Sequence, residues 1–173
     1  MPTHLIVDGY NVLAGAGNLS GHLEAAREAL VHDLAAYRYR KNHLITVVFD
    51  GWQQGRSSEQ REQRAGVQVI YSKRGERADQ VIQRLARKYG ADCAVVSSDH
   101  EIVNVARAHG AFVMGAHEFV RKLRAPSSAT GALPNKELDV EGDHRPKRGS
   151  EKKGNPRKLP KAQRQRDRRL RRF

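Results

Sequence analysis

The chain has 173 residues, and its 32 lysine and arginine side chains outnumber 19 aspartate and glutamate side chains, which gives a formal net charge of +13 at pH 7. Its longest strongly apolar run, residues 44–49, is far shorter than the roughly 20 residues that span a bilayer, and no basic and apolar leader opens the sequence. A single cysteine, Cys93, excludes an internal disulfide and a cysteine-rich zinc site, so we predict a soluble cytoplasmic protein with no membrane partner.

The first half of the chain predicts three strands and one long helix. In chain order, the elements are a strand at residues 4–8, a helix from about Ser20 to Tyr39, a strand at 44–49, a polar loop at 53–64 and a strand at 67–71. The helix is predicted because apolar residues recur at spacings of three and four, which places them on one face. The first two strands each end in an Asp-Gly pair, which is typical of a turn.

The second half continues the alternation in shorter elements. They are a helix at residues 78–89, a strand at 93–96, a helix that runs to about His109, a strand at 111–114 and a short helix at 118–123. Ser98 and Glu101 have the spacing of a capping box, which predicts the start of the second of these helices. Strands alternating with helices in this order predict an open, mostly parallel sheet with helices on both faces.

The last quarter of the chain differs from the rest. Residues 125–173 hold 15 basic and 6 acidic side chains, whereas residues 1–124 hold 17 and 13, so most of the excess positive charge lies in this segment. Apolar periodicity stops after Leu123. We therefore predict one α/β domain over residues 1–124 and a basic low-complexity tail over 125–173, mostly disordered in isolation, with a short helix near residues 161–172.

Four aspartates map to one edge of the predicted sheet, where the carboxyl ends of parallel strands form ligand sites. They are Asp8 after the first strand, Asp50 after the second, Asp79 at the start of the helix that follows the third, and Asp99 after the fourth. Each alone has a structural explanation as a turn residue or as an acid at a helix N-terminus. Together they repel one another unless a proton or a cation is present. One or two Mg²⁺ or Mn²⁺ ions suit such oxygen ligands.

A divalent ion at this edge can activate water and stabilise the charge that develops on a phosphodiester. Asn11, three residues after Asp8, is a candidate for binding a phosphate or orienting a carboxylate, although it can equally satisfy its own backbone. Competing motifs match poorly: the glycines at 15, 17 and 21 do not have the spacing of a dinucleotide site, and no Walker lysine pattern occurs.

Basic and aromatic side chains near this edge are candidates for nucleic-acid binding. The loop candidates are Arg56, Arg61, Arg64, Lys73 and Arg74, and the tail candidates are Arg164, Arg166, Arg168, Arg169, Arg171 and Arg172. The loop cations either hold phosphates or form an ordinary solvated surface, whereas the density of cations in the tail favours binding of a phosphate backbone. Tyr10 and Trp52 follow two of the edge aspartates and either stack on bases or pack under the loops.

Several segments together resemble the YacP-like branch of the NYN domain family, whose members are ribonucleases related to PIN domains. The segments are LIVDGYN, VVFDG, VQVIYS with GERADQVIQRL, VVSSDHEI and a late HEF, in this order over residues 4–123. The resemblance implies a PIN-like three-layer α/β/α sandwich and divalent-metal-dependent RNA cleavage, with some relatives acting on ribosome-bound messenger RNA.

By position, the resemblance implies that Asp8, Asp79 and Asp99 are metal-binding carboxylates and that Asn11 is the asparagine of the family's active site. Asp50 matches a family position whose role toward the metal is less defined. Relatives often carry a further acid after the aspartate that corresponds to Asp79, whereas this chain has Gln80. The tail has no counterpart in the family pattern.

Two functions follow from these observations. In the first, the protein is a metal-dependent endoribonuclease that acts on RNA, including ribosome-bound messenger RNA or ribosomal RNA. In the second, it is a non-catalytic RNA- or ribosome-binding module with a vestigial metal pocket. The presence of Asp8, Asn11, Asp79 and Asp99 in one chain favours the first.

Overall fold

The computed structural model describes residues 3–19, 21–51, 57–125 and 161–173 of the protein. The strands are β1 (His4–Asp8), β2 (Leu44–Phe49), β3 (Gln60–Arg64), β4 (Val67–Tyr71), β5 (Cys93–Val96) and β6 (Phe112–Met114). The helices are α1 (Gly9–Gly15), α2 (Leu23–Lys41), α3 (Ala78–Tyr89), α4 (His100–Ala108), α5 (Ala116–Arg124) and α6 (Lys161–Leu170), and a short 3₁₀ turn at Gly90–Asp92 precedes β5. None of these helices is long and apolar enough to span a membrane.

The six strands form one sheet in the order β3-β4-β2-β1-β5-β6. All neighbours run parallel except β3, which pairs antiparallel with β4 at the sheet's edge. The registers place Asp8 beside Val48, and Val96 beside both Val7 and Met114, so the carboxyl ends of the parallel strands lie along one edge. The predicted mixed α/β fold with a mostly parallel central sheet is confirmed.

The alternating side chains of the strands fill two separate cores, one on each face of the sheet. On one face, Leu5 and Val7 pack with side chains from α1, α2 and α5. On the other face, Ile6 packs with side chains from α3 and α4. Cys93 lies in this second core and is fully buried. Since both faces are covered by helices, the parallel strands are largely apolar.

Strand β3 was not predicted, because residues 53–64 read as a polar loop. Its five residues, QREQR, are exposed or half-buried and show no apolar period. The strand is specified instead by the hairpin turn that joins it to β4, in which Ala65 and Gly66 both have positive φ angles, 49° and 82°. Two consecutive left-handed residues favour a tight hairpin whose twist matches the paired strands.

Two helix starts also differ from the prediction. The Asp8-Gly9 pair is not a turn: α1 begins at Gly9, and a Cβ atom at this position would overlap the ring of Phe49. Helix α4 is capped by Asp99 rather than by Ser98, because Asp99 Oδ1 accepts hydrogen bonds from the backbone N–H groups of Glu101 (2.8 Å) and Ile102 (3.4 Å).

The helix predicted near residues 161–172 is confirmed as α6, and it packs against the α/β body. Phe173, which follows it, is only 4% exposed. Its ring stacks on Phe112 with centroids 5.5 Å apart, and the ring of His43 lies 5.1 Å away. The Tyr37 hydroxyl donates a hydrogen bond to the carbonyl of Phe173. The final part of the predicted tail is therefore joined to the core, which the sequence did not indicate.

We expect Phe173→Ala to undock α6 without unfolding the sheet. Replacing a buried phenylalanine with alanine costs about 3–5 kcal/mol in a well-packed site, and the sheet and its other helices keep their own core contacts. Hydrogen–deuterium exchange should then show loss of amide protection in α6, with protection retained in β1 and β5. Leu19→Ala, at an exposed position, is the control. Equal α6 protection in Phe173→Ala and wild type would contradict this account.

Candidate functional site

Asp8 lies at the centre of the carboxyl edge, because it ends β1 between the neighbouring strands β2 and β5. Its side chain is buried, with 9% relative exposure. Oδ1 accepts a hydrogen bond from the backbone N–H of Asn11 (3.2 Å), and Oδ2 accepts one from Ser97 Oγ (3.0 Å). Both carboxylate oxygens are thus held in defined positions.

The electrostatic environment of Asp8 shows that three predicted carboxylates act on one another. The pKa of Asp8 is raised from 3.8 to about 6, chiefly because the carboxylate is buried and to a smaller extent because of the negative charges of Asp79 and Asp99. The hydrogen bonds from Asn11 and Ser97 oppose this rise. The edge therefore concentrates negative charge around a carboxylate that is poorly solvated.

Ser97 connects two of these acids, although sequence reasoning did not select it. Its hydroxyl donates to Asp8 Oδ2 and accepts a hydrogen bond from the backbone N–H of Asp99 (3.1 Å). The neighbouring Ser98 N–H donates to Asn11 Oδ1 (2.9 Å). Asn11 thus holds the β5–α4 loop next to α1 instead of satisfying its own backbone. The available signal for Ser97 was its place directly after an apolar strand and two residues before Asp99.

Asp50 makes contacts that stabilise the start of α3. Its Oδ1 accepts hydrogen bonds from the backbone N–H of Ala78 (2.7 Å) and from Ser72 Oγ (3.3 Å). The Ser72 hydroxyl also accepts a hydrogen bond from the Gly51 N–H (3.1 Å). Asp50 therefore caps α3 from the loop that follows β2, and its role as a metal ligand stays a prediction.

Asp79 lies in the first turn of α3 and forms an ion pair with Arg77, whose Nη2 lies 2.7 Å from Asp79 Oδ2. Gln80, which stands where relatives often carry an acid, accepts a hydrogen bond from the Arg77 N–H through Oε1 (3.2 Å). The side chain of Gln80 thus stabilises the N-terminus of α3 by accepting a backbone hydrogen bond.

The chemistry of these side chains fits a divalent cation, since they offer oxygen donors whose mutual repulsion a cation would relieve. Asp8, Asp79 and Asp99 supply the charge. They do not form a preassembled ligand shell: within the ranges that the structure describes, no three His, Cys, Asp or Glu side chains converge as a metal-binding group.

Tyr10 is half-buried beside the carboxylate edge, and its ring packs edge-on against Phe49 with centroids 5.4 Å apart. Its hydroxyl accepts a hydrogen bond from Arg27 Nη1 (3.5 Å). The structure therefore shows packing under the loops for this side chain, and base stacking stays a prediction. Trp52 and Arg56 lie outside the described residues.

The predicted basic side chains are not all brought to the carboxylates. Lys73 and Arg74 are exposed and directly follow Ser72, which contacts Asp50. Arg61 is paired with Glu59 at 2.7 Å. Arg64 lies at the opposite end of β3, beside Val67, and pairs with Glu62 at 2.8 Å, so its predicted place at the site is wrong. The six tail arginines are exposed on α6 and the turn after it, alongside α5.

Wild-type protein should lose stability relative to Asp8→Asn as the pH rises. Because the pKa of Asp8 is raised on folding, its stabilising contribution is complete below the unfolded value of 3.8 and is lost as the pH passes about 6. The shift corresponds to about 3 kcal/mol. Urea unfolding of both proteins in EDTA across this range measures the difference, with exposed Asp33→Asn as the control. If the free energies of unfolding of wild type and Asp8→Asn change in parallel with pH, the pKa of Asp8 is not raised by folding, which contradicts this prediction.

Comparison with known proteins supports the resemblance seen in the sequence. The family model for the YacP-like NYN domain matches residues 5–169, which extends through most of the predicted tail. The protein YacP of Bacillus subtilis (strain 168) is 29% identical over 126 residues, 69% of this chain and 74% of that protein.

Solved structures agree with this assignment. The crystal structure of Rae1 (YacP) from Bacillus subtilis matches with a TM-score of 0.56 at 27% identity and covers 69% of this chain and 72% of that one. A mutant of the same protein matches with a TM-score of 0.57 at 28% identity, over 71% of this chain and 75% of the other. The chain therefore belongs to the YacP-like NYN domain family, a family of nuclease-like proteins.

Proposed function

We propose that this protein is a divalent-metal-dependent endoribonuclease that hydrolyses RNA phosphodiester bonds at the carboxyl edge of its sheet. The observation that carries the proposal is the coupling of buried Asp8 to Asp79 and Asp99 on a nuclease-like fold. The mutual repulsion of these carboxylates opposes folding, and a bound divalent cation would relieve it.

In this proposal, Asp8, Asp79 and Asp99 hold Mg²⁺ or Mn²⁺, one or two ions. The metal supplies activation of water and neutralisation of the charge that develops on the scissile phosphate. The chain's own residues prepare the site. The hydrogen bonds from Asn11 and Ser97 favour the ionised form of Asp8, and the bond between Asn11 Oδ1 and the Ser98 N–H fixes the loop that carries Asp99.

The proposed substrate class is RNA, because cations next to the carboxylates can bind its phosphate groups. Arg77 contacts Asp79, and Lys73 and Arg74 lie on the same loop before α3. Guanidinium and ammonium groups hold phosphate oxygens through charge-assisted hydrogen bonds. As the setting of the reaction we propose the cytoplasm, with ribosome-bound messenger RNA or ribosomal RNA as the target.

The second candidate is a non-catalytic RNA- or ribosome-binding module. Two contacts favour it: Asp79 is neutralised by Arg77, and Asp50 is engaged in capping α3. In such a module, the basic surface would bind RNA while the carboxylates serve only the fold.

Asp8→Asn and Asp99→Asn should each reduce RNA cleavage by at least about a hundredfold, since loss of a metal ligand exceeds the 10- to 100-fold effect of groups that merely orient ligands. Both changes remove a charge and keep the shape, and asparagine at position 99 still caps α4. Cleavage of end-labelled single-stranded RNA is measured with Mn²⁺, Mg²⁺ or EDTA, and Asp92→Asn, at an exposed position, is the control.

Thermal unfolding separates the two candidates further. Mn²⁺ should raise the melting temperature of the wild type more than that of either variant, because a ligand that binds only the folded state stabilises it. Cleavage that is undiminished in both variants would overturn the catalytic assignment. A wild type that binds RNA but does not cleave it with either metal would favour the binding module.

A further inference from the structure

The docked helix α6 has a defined direction relative to the carboxylate edge. Arg166 pairs with Glu118 in the first turn of α5 (3.2 Å), and Lys122 Nζ donates to the carbonyl of Leu170 farther along (2.7 Å). The contacts advance together along both helices, so α6 runs in the same direction as α5. Because α5 begins directly after β6, the first turn of α6 lies toward the carboxyl edge.

The other end of α6 is fixed at the amino edge of the sheet. Phe173 packs against Phe112, the first residue of β6, and against His43, which precedes β2. His43 Nε2 also donates to the carbonyl of Arg172 (3.0 Å). A helix of ten residues spans about 15 Å, so α6 extends along the body from near the carboxylates toward the opposite edge.

Three arginines form a row on the outer surface of this helix. Arg164, Arg168 and Arg171 are spaced by four and three residues, which places them on one face at intervals of about 5–6 Å. All three are exposed, and with Asp167 they border a groove of about 300 Å³. Throughout the described part of the chain, no carboxylate lies within 4.0 Å of their guanidinium groups, whereas Arg166 is paired.

We propose that this arginine row is a rigid binding surface for the sugar-phosphate backbone of single-stranded RNA, and that Phe173 fixes its orientation toward the carboxylate edge. The inference rests on the proposed function, and it specifies where the part of the RNA outside the cleavage site binds. Arginines at regular intervals, with no carboxylate partner among the described residues, suit a polymer with one negative charge per nucleotide. A docked helix holds them without the ordering cost of a flexible tail.

RNA is favoured over other anionic partners because the side chains that border the groove are arginines and one aspartate, with no apolar residue among them. Acidic peptides and lipid surfaces are commonly bound with the help of apolar side chains, whereas this face carries arginines and one aspartate. The apolar Phe173 is turned into the core and is not available to a partner.

The first test measures affinity for fluorescein-labelled oligouridylate by anisotropy across a salt series, with the full chain in an Asp8→Asn background to prevent cleavage. The triple variant Arg164→Gln, Arg168→Gln, Arg171→Gln should bind at least about tenfold more weakly, and the slope of log K against log salt should flatten by about 2, since each single-strand phosphate contact contributes about 0.7. The matched control is Arg87→Gln, Lys88→Gln, Arg107→Gln, which removes the same charge from exposed positions on α3 and α4.

The second test separates orientation from charge. Phe173→Ala keeps every arginine but releases α6, so RNA affinity should fall by roughly fivefold because the helix must be ordered on binding. Phe173→Leu should restore most of the affinity. Wild-type affinity and salt slope in Phe173→Ala, with α6 amides exchanging freely, would overturn the orienting role of the anchor.

The remaining outcomes distinguish this inference from the proposed function. Equal loss of affinity in the two triple variants would overturn the arginine row even if the wild type cleaves RNA. Selective loss in the row variant would support the row even if no metal gives cleavage, in which case only the proposed function fails. Binding of polyglutamate or phosphatidylserine vesicles as tightly as oligouridylate, at the same salt, would overturn the assignment to RNA.

Discussion

The site depends on one constraint, the burial of the Asp8 carboxylate at the end of the central strand. A charged carboxylate in this position loses most of its hydration, and the raised pKa of Asp8 reflects this cost. Two hydrogen bonds partly offset the cost, and they come from two different segments of the chain. The N–H of Asn11 belongs to α1, and the hydroxyl of Ser97 belongs to the loop after β5. Compensation of a single buried charge thus fixes the distance between two segments of the site.

An edge aspartate can stabilise the fold as a helix cap and also belong to the site, so the structural and functional interpretations of these residues are not exclusive. Asp8 caps α1, Asp50 caps α3 from the loop after β2, and Asp99 caps α4. Each helix starts at the edge where its strand ends, so its unpaired N–H groups point toward that edge. A carboxylate that satisfies these groups is held in place at the site. Asp79 differs from the other three aspartates because it caps no helix. It lies in the first turn of α3, and its carboxylate forms an ion pair with Arg77.

Much of the fold could be predicted because the central strands are buried on both faces and read as apolar runs. Strand β3 escaped prediction because an edge strand with polar side chains has no apolar period, and the positive φ angles of its turn are not visible in composition. The positions of Asp8, Asp50 and Asp99 at the carboxyl edge could be predicted from the strand ends that precede them. Ser97 and the Arg77–Asp79 ion pair could not, since they depend on side-chain directions that the sequence pattern leaves open.

The docking of the chain's last residues is the feature least visible in the sequence, and it depends chiefly on the buried Phe173. The segment from Lys161 to Phe173 is dominated by arginines, and two partly or fully buried side chains, Leu170 and Phe173, join it to the core. A helix of this composition is held by few contacts, so an aromatic anchor at its end controls whether its charges are fixed or mobile. Mobile cations attract any anion at low salt, whereas cations fixed in a row also impose a direction on a bound polymer. A polymer bound along α6, as proposed, would have one end near the start of α5. The first residue of α5, Ala116, donates its N–H to Ser98, which lies between Ser97 and Asp99 in the loop after β5.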